Sequence, residues 1–295
     1  MGKKKIKAGQ YIDAAVLIIL SVSFLVPILL VLSASFTDES TLAANGFQFI
    51  PEKWSLESWK YVFDLGHQLL VSYGVTILVT VVGTVLALLI QSLLAYTLSR
   101  PKFKLKGFLT VMLIITMLFK GGQLSEYMIY SNIYHLKNTY FILFVPIMSA
   151  MTVIMMRTYI QTNITDALIE SAKIDCAGEF RIYAQICIPL MLPMLAALGF
   201  MAAIGYWNDW QRAYLYITDA SKTPLQLLLM RIEKNMEILT SGVVDQNMVT
   251  SLASQIPKES TRMALLFTVL GPIMIAYPFF QKYFIKGLTL GAVKG

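Results

Sequence analysis

From Tyr159 to Leu190 the chain reads YIQTNITDALIESAKIDCAGEFRIYAQICIPL, too polar to cross a membrane and too patterned for a linker. Its residues suit docking rather than bond making. Thr165 and Asp166 offer acceptors and negative charge to the first amides of a helix, which Ala167, Leu168, Ser171 and Ala172 continue with mostly small side chains that permit close approach. Gly178 is expected to end or turn this helix. A second helical piece from Glu179 then carries Phe180, Tyr183, Ala184 and Ile186 to Ile188 as an apolar face running into Pro189. The expected product is two short helices meeting at an angle. Glu170 either pairs with a basic group on a partner or braces the loop internally, and a solvated helix face without a partner is the alternative reading.

A second group is Tyr206, Trp207, Asn208, Asp209, Trp210 and Gln211. Sugar CH faces stack on such rings while hydroxyls meet amides and carboxylates, which makes the run a candidate substrate pathway. An aromatic belt at the membrane boundary explains the same residues without a ligand. Hydrolytic chemistry is poorly served. There is no GxxxxGK[ST] loop to cradle a nucleotide phosphate, no HExxH and no GxSxG, and the two histidines, His67 and His135, stand far apart. Cys176 and Cys187 have neither CxxC spacing nor a nearby histidine pair, so no metal site is expected. The Asn163-Ile164-Thr165 sequon falls on the expected cytoplasmic side, where it reads as chance.

The elements that must position these groups are set by composition. The 295 residues are 57% apolar and 14% charged, with mean hydropathy +0.65, against about 25% charged in soluble proteins. Aqueous globular folds are therefore poor candidates. Six apolar stretches, at about 12–35, 72–97, 108–130, 138–157, 190–212 and 262–281, are long enough to span the bilayer as helices. Their continuity, without short-period alternation, favours helices over barrel strands. Lys120, Gly121, Gly122 and Glu126 interrupt the third stretch, and only a few residues separate it from the fourth, so this pair is expected to form a tight hairpin. Tyr11 to Ser35 is too long for a signal peptide and reads as a retained anchor.

Basic clusters give the orientation. Lys3, Lys4, Lys5 and Lys7 precede the first stretch, Arg100, Lys102, Lys104 and Lys106 follow the second, and Lys282, Lys286 and Lys294 follow the sixth. All belong in the cytoplasm. The net charge of +7 thus reads as topology rather than as a nucleic-acid surface. The expected architecture is all-α and polytopic, with six transmembrane helices. Its parts are a cytoplasmic N-terminus at 1–11, a membrane domain at 12–281 and a cytoplasmic tail at 282–295. The external loops are about 36–71 and 213–261, and the cytoplasmic loop is about 159–189. Within the external loop, Pro224 to Met236 is expected to form one amphipathic helix through Leu225, Leu228, Leu229 and Ile232. Pro27, Pro146, Pro193, Gly271 with Pro272, and Pro278 read as ordinary kinks, the alternative being that those in spans five and six flex during gating.

Glu170, Ser171, Ala172 and Asp175, followed by Ile186, Pro189 and Pro193, resemble the EAA loop of ATP-binding-cassette importer permeases. Gly205, Trp207, Asn208 and Asp209 resemble the pattern ending the fifth span in the carbohydrate branch. The ending from Tyr277 and Pro278 through Gln281, Lys282, Tyr283 and Phe284 to Lys294 and Gly295 is similar to that branch's tail. One departure stands out: where the family usually has glycine after the aspartate, this chain has Cys176.

The resemblance implies the type I ABC importer permease fold in a bacterial cytoplasmic membrane. It also implies oligosaccharide import by alternating access with a second homologous permease subunit, two ABC ATPase subunits and an extracellular substrate-binding protein. ATP and Mg would sit on the ATPase subunits, with no cofactor on this chain. ATPase coupling is assigned to Glu170, Ser171, Ala172, Asp175, Cys176 and Gly178, and the candidate substrate pathway to Tyr206, Trp207, Asn208, Asp209 and Trp210. A secondary transporter or channel subunit, or a non-transport membrane scaffold, is the competing reading.

Overall fold

The computed structural model describes residues 8–145, 149–240 and 259–292. Lys3, Lys4, Lys5, Lys7, Pro146, loop positions 241–258 and Val293 to Gly295 lie outside the described residues. Within them all regular structure is helical, apart from an isolated antiparallel bridge between Thr37 and Trp54. The chain divides into two compact units, Met1–Leu69 with Leu229–Pro272 and Leu70–Leu228 with Ile273–Gly295.

In the first unit, helix α1 (Ala8–Ser35) is apolar all round and leaves Leu17, Phe24 and Leu29 exposed. Such a helix is stable only where lipid or protein covers every face. The following stretch, expected only as a loop, contains α2 (Glu39–Asn45) and α3 (Glu57–Asp64). Asp38 caps α2 by accepting from the Ser40 N–H, and Lys53 lies 2.8 Å from its other oxygen. Together the Lys53 and Ser40 hydrogen bonds hold the Asp38 carboxyl down to about 2. The Glu39 carboxylate accepts from the N–H groups of Glu259 and Ser260, both at 3.0 Å, at the start of the last helix (Glu259–Ala292). A negative charge there offsets the unpaired first amides of the helix.

The second unit begins within α4 (Gly66–Ser99), which starts ahead of the expected position 72 because Gly66, at φ 47°, turns the chain directly out of α3. The third apolar stretch is not one straight span. Helix α5 (Lys106–Leu118) stops at an extended Phe119, and α6 (Gly122–Met128), prolonged by a π-turn to Ile133, departs at 117°. Gly122 has φ 80°, a conformation that residues with a Cβ avoid, so this glycine permits the bend. The fourth stretch is also broken, into α7 (Tyr140–Phe144) and α8 (Ala150–Asn163). Val145 precedes a proline, which disfavours helical backbone, and it leaves the helix at φ −48°, ψ 120°.

Among the described residues, four helices are long and apolar enough to cross a membrane, and the bent pair would make a fifth. They are α1, α4, α10 (Glu179–Trp207) and the first part of the last helix, Glu259–Pro278. Between α10 and the last helix lie α11 (Trp210–Tyr216) and α12 (Leu225–Thr240), and the last helix is α13. The amphipathic helix expected from Pro224 is therefore present as α12, with Leu225 and Leu227 fully buried and Leu228, Leu229 and Ile232 half-buried.

The core of the second unit joins the C-terminal end of α4 (Ala95, Tyr96, Leu98) to α8 (Val153, Met156, Ile160) and α10 (Ile182, Tyr183, Met191). Ile164 and Ile169 enter the same core from the polar loop that follows α8. That insertion fixes the candidate site to the bundle.

Candidate coupling elbow

Helix α9 (Asp166–Ile174) begins where the sequence places it, although Thr165 makes no side-chain cap hydrogen bond and only its extended backbone marks the start. Ile169 is buried at 4% exposure, and Ala172 packs beside it against the core. Helical spacing then puts Ala167, Glu170, Ser171 and Ile174 together on the outer face. All four are exposed, Ile174 at 82%. Phe180, at the start of α10, is 76% exposed. The elbow thus offers one carboxylate, two small residues and two bulky apolar side chains outward. Glu170 makes no hydrogen bond or ion pair with any described residue; it lines a cleft of about 410 Å³ with Arg100, Lys102, Asp166, Lys173 and Glu179. Ala172 belongs to the inner face, so its small size serves packing within the chain.

The turn differs from expectation. Gly178 does not end α9. The helix ends at Ile174 with Asp175 as its cap, and the left-handed residue that reverses the chain is Cys176, at φ 56°. The Cys176 N–H donates to the Lys173 carbonyl and the Ala177 N–H to the Ala172 carbonyl, both at 3.0 Å, which is the Schellman pattern. Ala172 and Ala177 both pack on the core and supply the apolar contact that accompanies it. Gly178, at φ −70°, is instead the cap residue opening α10. The expected second short helix is the first turn of this same continuous helix, loosened by a π-turn at Tyr183–Cys187.

A cysteine with positive φ is strained by roughly 1 kcal/mol relative to glycine. Cys176→Gly should therefore raise the thermal midpoint of the purified chain by a few degrees while preserving the elbow. An unchanged or lower midpoint would mean that the turn relaxes around the cysteine.

An ion pair missed by sequence reading braces the elbow. Glu179 lies 2.5 Å from the Lys173 Nζ and accepts from the Tyr96 hydroxyl, also at 2.5 Å, while the Arg100 guanidinium sits 4.8 Å over the Tyr96 ring. Ser92 and Tyr183 share a 2.7 Å hydrogen bond deeper in. The acidic residue at the first position of a helix was the available signal for Glu179; nothing in spacing points to Tyr96, which arrives from α4.

The structure divides the second candidate group. Helix α10 ends at Trp207 rather than continuing to 212, because Asp209 caps the new helix α11 by accepting from the Arg212 N–H at 3.1 Å. Tyr206 and Trp207 are buried, at 3% and 8% exposure. The Tyr206 hydroxyl donates to the Val145 carbonyl at 3.2 Å, and Arg212 Nη1 donates to the same oxygen at 2.8 Å. Both satisfy an acceptor freed by the break before Pro146. Tyr206 is therefore a packing residue here. Asn208 is exposed and accepts from the Gln226 side chain at 2.9 Å, Trp210 is exposed, and Asp209 reaches the wall of a separate cavity together with Gln211 and Arg212.

Residues 107–289 match the family model described as the binding-protein-dependent transport system inner membrane component. The chain is 33% identical over 294 residues to protein LplC of Bacillus subtilis (strain 168), covering 98% of this chain and 97% of that one. It is 34% identical over 272 residues to the polygalacturonan/rhamnogalacturonan transport system permease protein YtcP of the same organism, covering 91% and 92%. It is also 30% identical over 278 residues to the arabinooligosaccharides transport system permease protein AraQ of Halalkalibacterium halodurans, covering 91% of each. Among solved structures it resembles a chain of a bacterial ABC transporter involved in the import of the acidic polysaccharide alginate. There the TM-score is 0.78 at 25% identity, covering 96% of this chain and 99% of that one.

Proposed function

The chain belongs to the family of binding-protein-dependent transport system inner membrane components, and on that premise we propose how it works. It is a multi-pass cell-membrane permease of a binding-protein-dependent sugar importer, of the kind its relatives form. The substrate class is an oligosaccharide. The observation that carries the mechanism is the outward face of α9, where Glu170, Ser171 and Ile174 stand exposed on a helix anchored from behind by Ile169.

A permease with no nucleotide loop of its own must receive work from outside. A rigid, partly apolar knob presents the surface that a cleft on an ATPase subunit needs. Glu170, Ser171, Asp175 and Cys176 meet that subunit in this reading, while Ala172 and Gly178 hold the knob's shape. Two such ATPase subunits, which bind ATP with Mg, close on nucleotide; α9 then moves with them, and the Lys173–Glu179–Tyr96 clamp passes the displacement to α4 and α10. A second permease subunit completes the pathway, and an extracellular binding protein delivers the sugar. In this arrangement the six spans have both termini in the cytoplasm. The four long apolar helices and the bent pair support five of them, and α7 with α8 would form the remaining one.

The test is purification of the full chain from its native membrane. ATPase subunits and a second permease should co-purify in a complex that takes up oligosaccharide in vesicles only with ATP and binding protein. An intact, transporting complex lacking any ATPase would contradict the mechanism.

A further inference from the structure

We propose that the cavity between the bent pair α5/α6 and helix α11 holds a pyranose unit of the transported saccharide, so that this subunit reads sugar itself. The inference rests on the importer function above. The 117° bend at residues 119–121 swings α6 away from α5 and leaves a cavity of about 740 Å³, within the size range of small-molecule sites.

The walls are chemically matched to a sugar. Tyr134 presents a ring 60% exposed. Behind it Tyr130 lies 6.1 Å away and is set edge-on to Tyr216 at 6.1 Å, and Tyr216 in turn stacks on Tyr127 at 5.5 Å. The tyrosine cluster thus offers a supported ring face to the CH side of a pyranose. Around it, the exposed side chains of Gln123, Gln211, Glu126 and Lys120 line the cavity. They supply donors and acceptors for hydroxyls. Arg212 is already engaged, 3.6 Å from Asp209 and bonded to the Val145 carbonyl. The lining carries two cations and two anions in balance, which suits recognition of hydroxyls over recognition of net charge.

A packing void between helices would be apolar and dry, whereas this one is open and rimmed by exposed polar side chains. The chain segments beside it are also tied together. Asn138, at φ 56°, accepts from the Thr218 and Asp219 N–H groups at 2.7 and 3.1 Å, and its own N–H donates to the Tyr216 carbonyl at 3.0 Å. That staple ties the chain leaving α6 to the chain leaving α11.

The experiment uses the complete complex in vesicles with a trisaccharide that it imports, tried in neutral and uronate forms, and measures sugar moved per ATP hydrolysed. The paired variant Tyr134→Ala/Glu126→Gln should lower that ratio at least fivefold. A diazirine-bearing form of the same trisaccharide should label residues 119–134 or 209–216 of the unaltered chain. A second pair, Gln123→Ala/Gln211→Ala, should also lower the ratio and guards against loss of assembly in the first. A ratio within twofold of the unaltered chain in an importing complex overturns this inference alone, as does failure of both pairs to assemble, which would make the lining structural. Absence of ATP-driven uptake by the unaltered complex overturns the importer function and this inference together.

Discussion

Replacing Glu170 by lysine is expected to abolish ATP-driven uptake while leaving the chain folded, inserted and as abundant as before. The two halves of that expectation have separate causes. Glu170 is exposed and makes no hydrogen bond or ion pair with any described residue, so its loss removes nothing that holds the fold. Surface substitutions of this kind usually change stability by less than ~0.5 kcal/mol. At a docking face the same change is severe. A reversed charge buried against a partner that matches a carboxylate costs about 2–5 kcal/mol, a loss in affinity of roughly 30-fold to several-thousand-fold. Uptake by Glu170→Lys at wild-type rate, with equal amounts in the membrane, would remove Glu170 from the coupling face. Loss of the protein itself would show instead that the residue is structural.

Gly83→Leu should fail in the opposite manner, by strongly destabilising the second unit. A Cβ added at Gly83 would lie 2.6 Å from Cε1 and Cζ of the Tyr206 ring, closer than real Cβ contacts allow. Tyr206 is buried and its hydroxyl satisfies the Val145 carbonyl, so the ring cannot move without breaking that bond. Overpacking costs about 1–3 kcal/mol, and the lost Tyr206 hydrogen bond adds about 0.5–1.5 kcal/mol, the Val145 carbonyl keeping its bond from Arg212. Against a typical domain stability of about 5–15 kcal/mol the sum is a large fraction. Size-exclusion profiles and the thermal midpoint of the detergent-solubilised chain report this directly. Gly83→Ala should be milder but still destabilising. A Gly83→Leu chain with the wild-type midpoint would mean that α4 and α10 pack less closely than described. The glycine is there because neighbouring membrane helices approach most closely where side chains are smallest.

The elbow was legible because its signals are local. Asp166 starts the helix, Ile169 supplies the buried anchor, and the small and acidic residues fall at helical spacing on the opposite face. The turn was not. Gly178 looked like the natural reversal because glycine is the usual left-handed residue, yet the hydrogen bonds of the Schellman turn fix the reversal two positions earlier, on Cys176. The departure from the family's glycine was visible in the sequence, but its conformational meaning was not.

Lys120, Gly121 and Gly122 mark an interruption of the third apolar stretch, but the hairpin with the fourth stretch expected from it does not convey the 117° bend that lies within the third. The break in the fourth follows from Pro146 acting on Val145. Least legible was the group at 206–210, which read as one aromatic patch. It is instead a buried helix end, a cap and a new helix, because the Asp209 carboxylate finds the Arg212 amide. The cavity beside it joins residues 116–134 to 209–216, and no pattern along the chain marks such a juxtaposition. Likewise Tyr96 meets Glu179 only because α4 returns to the elbow.

The central claim is that the outer face of α9 is gripped by an ATPase subunit, and the chain carries its own probe for it. Cys176 is exposed at the tip of the elbow, whereas Cys187 is fully buried, so a benzophenone maleimide should modify the first alone. Labelled chain reassembled with the other subunits and illuminated should yield a covalent adduct with the ATPase subunit, increased or diminished by ATP as the grip changes. An assembled complex that still hydrolyses ATP and imports sugar, yet gives adducts only with lipid or permease, would contradict the claim.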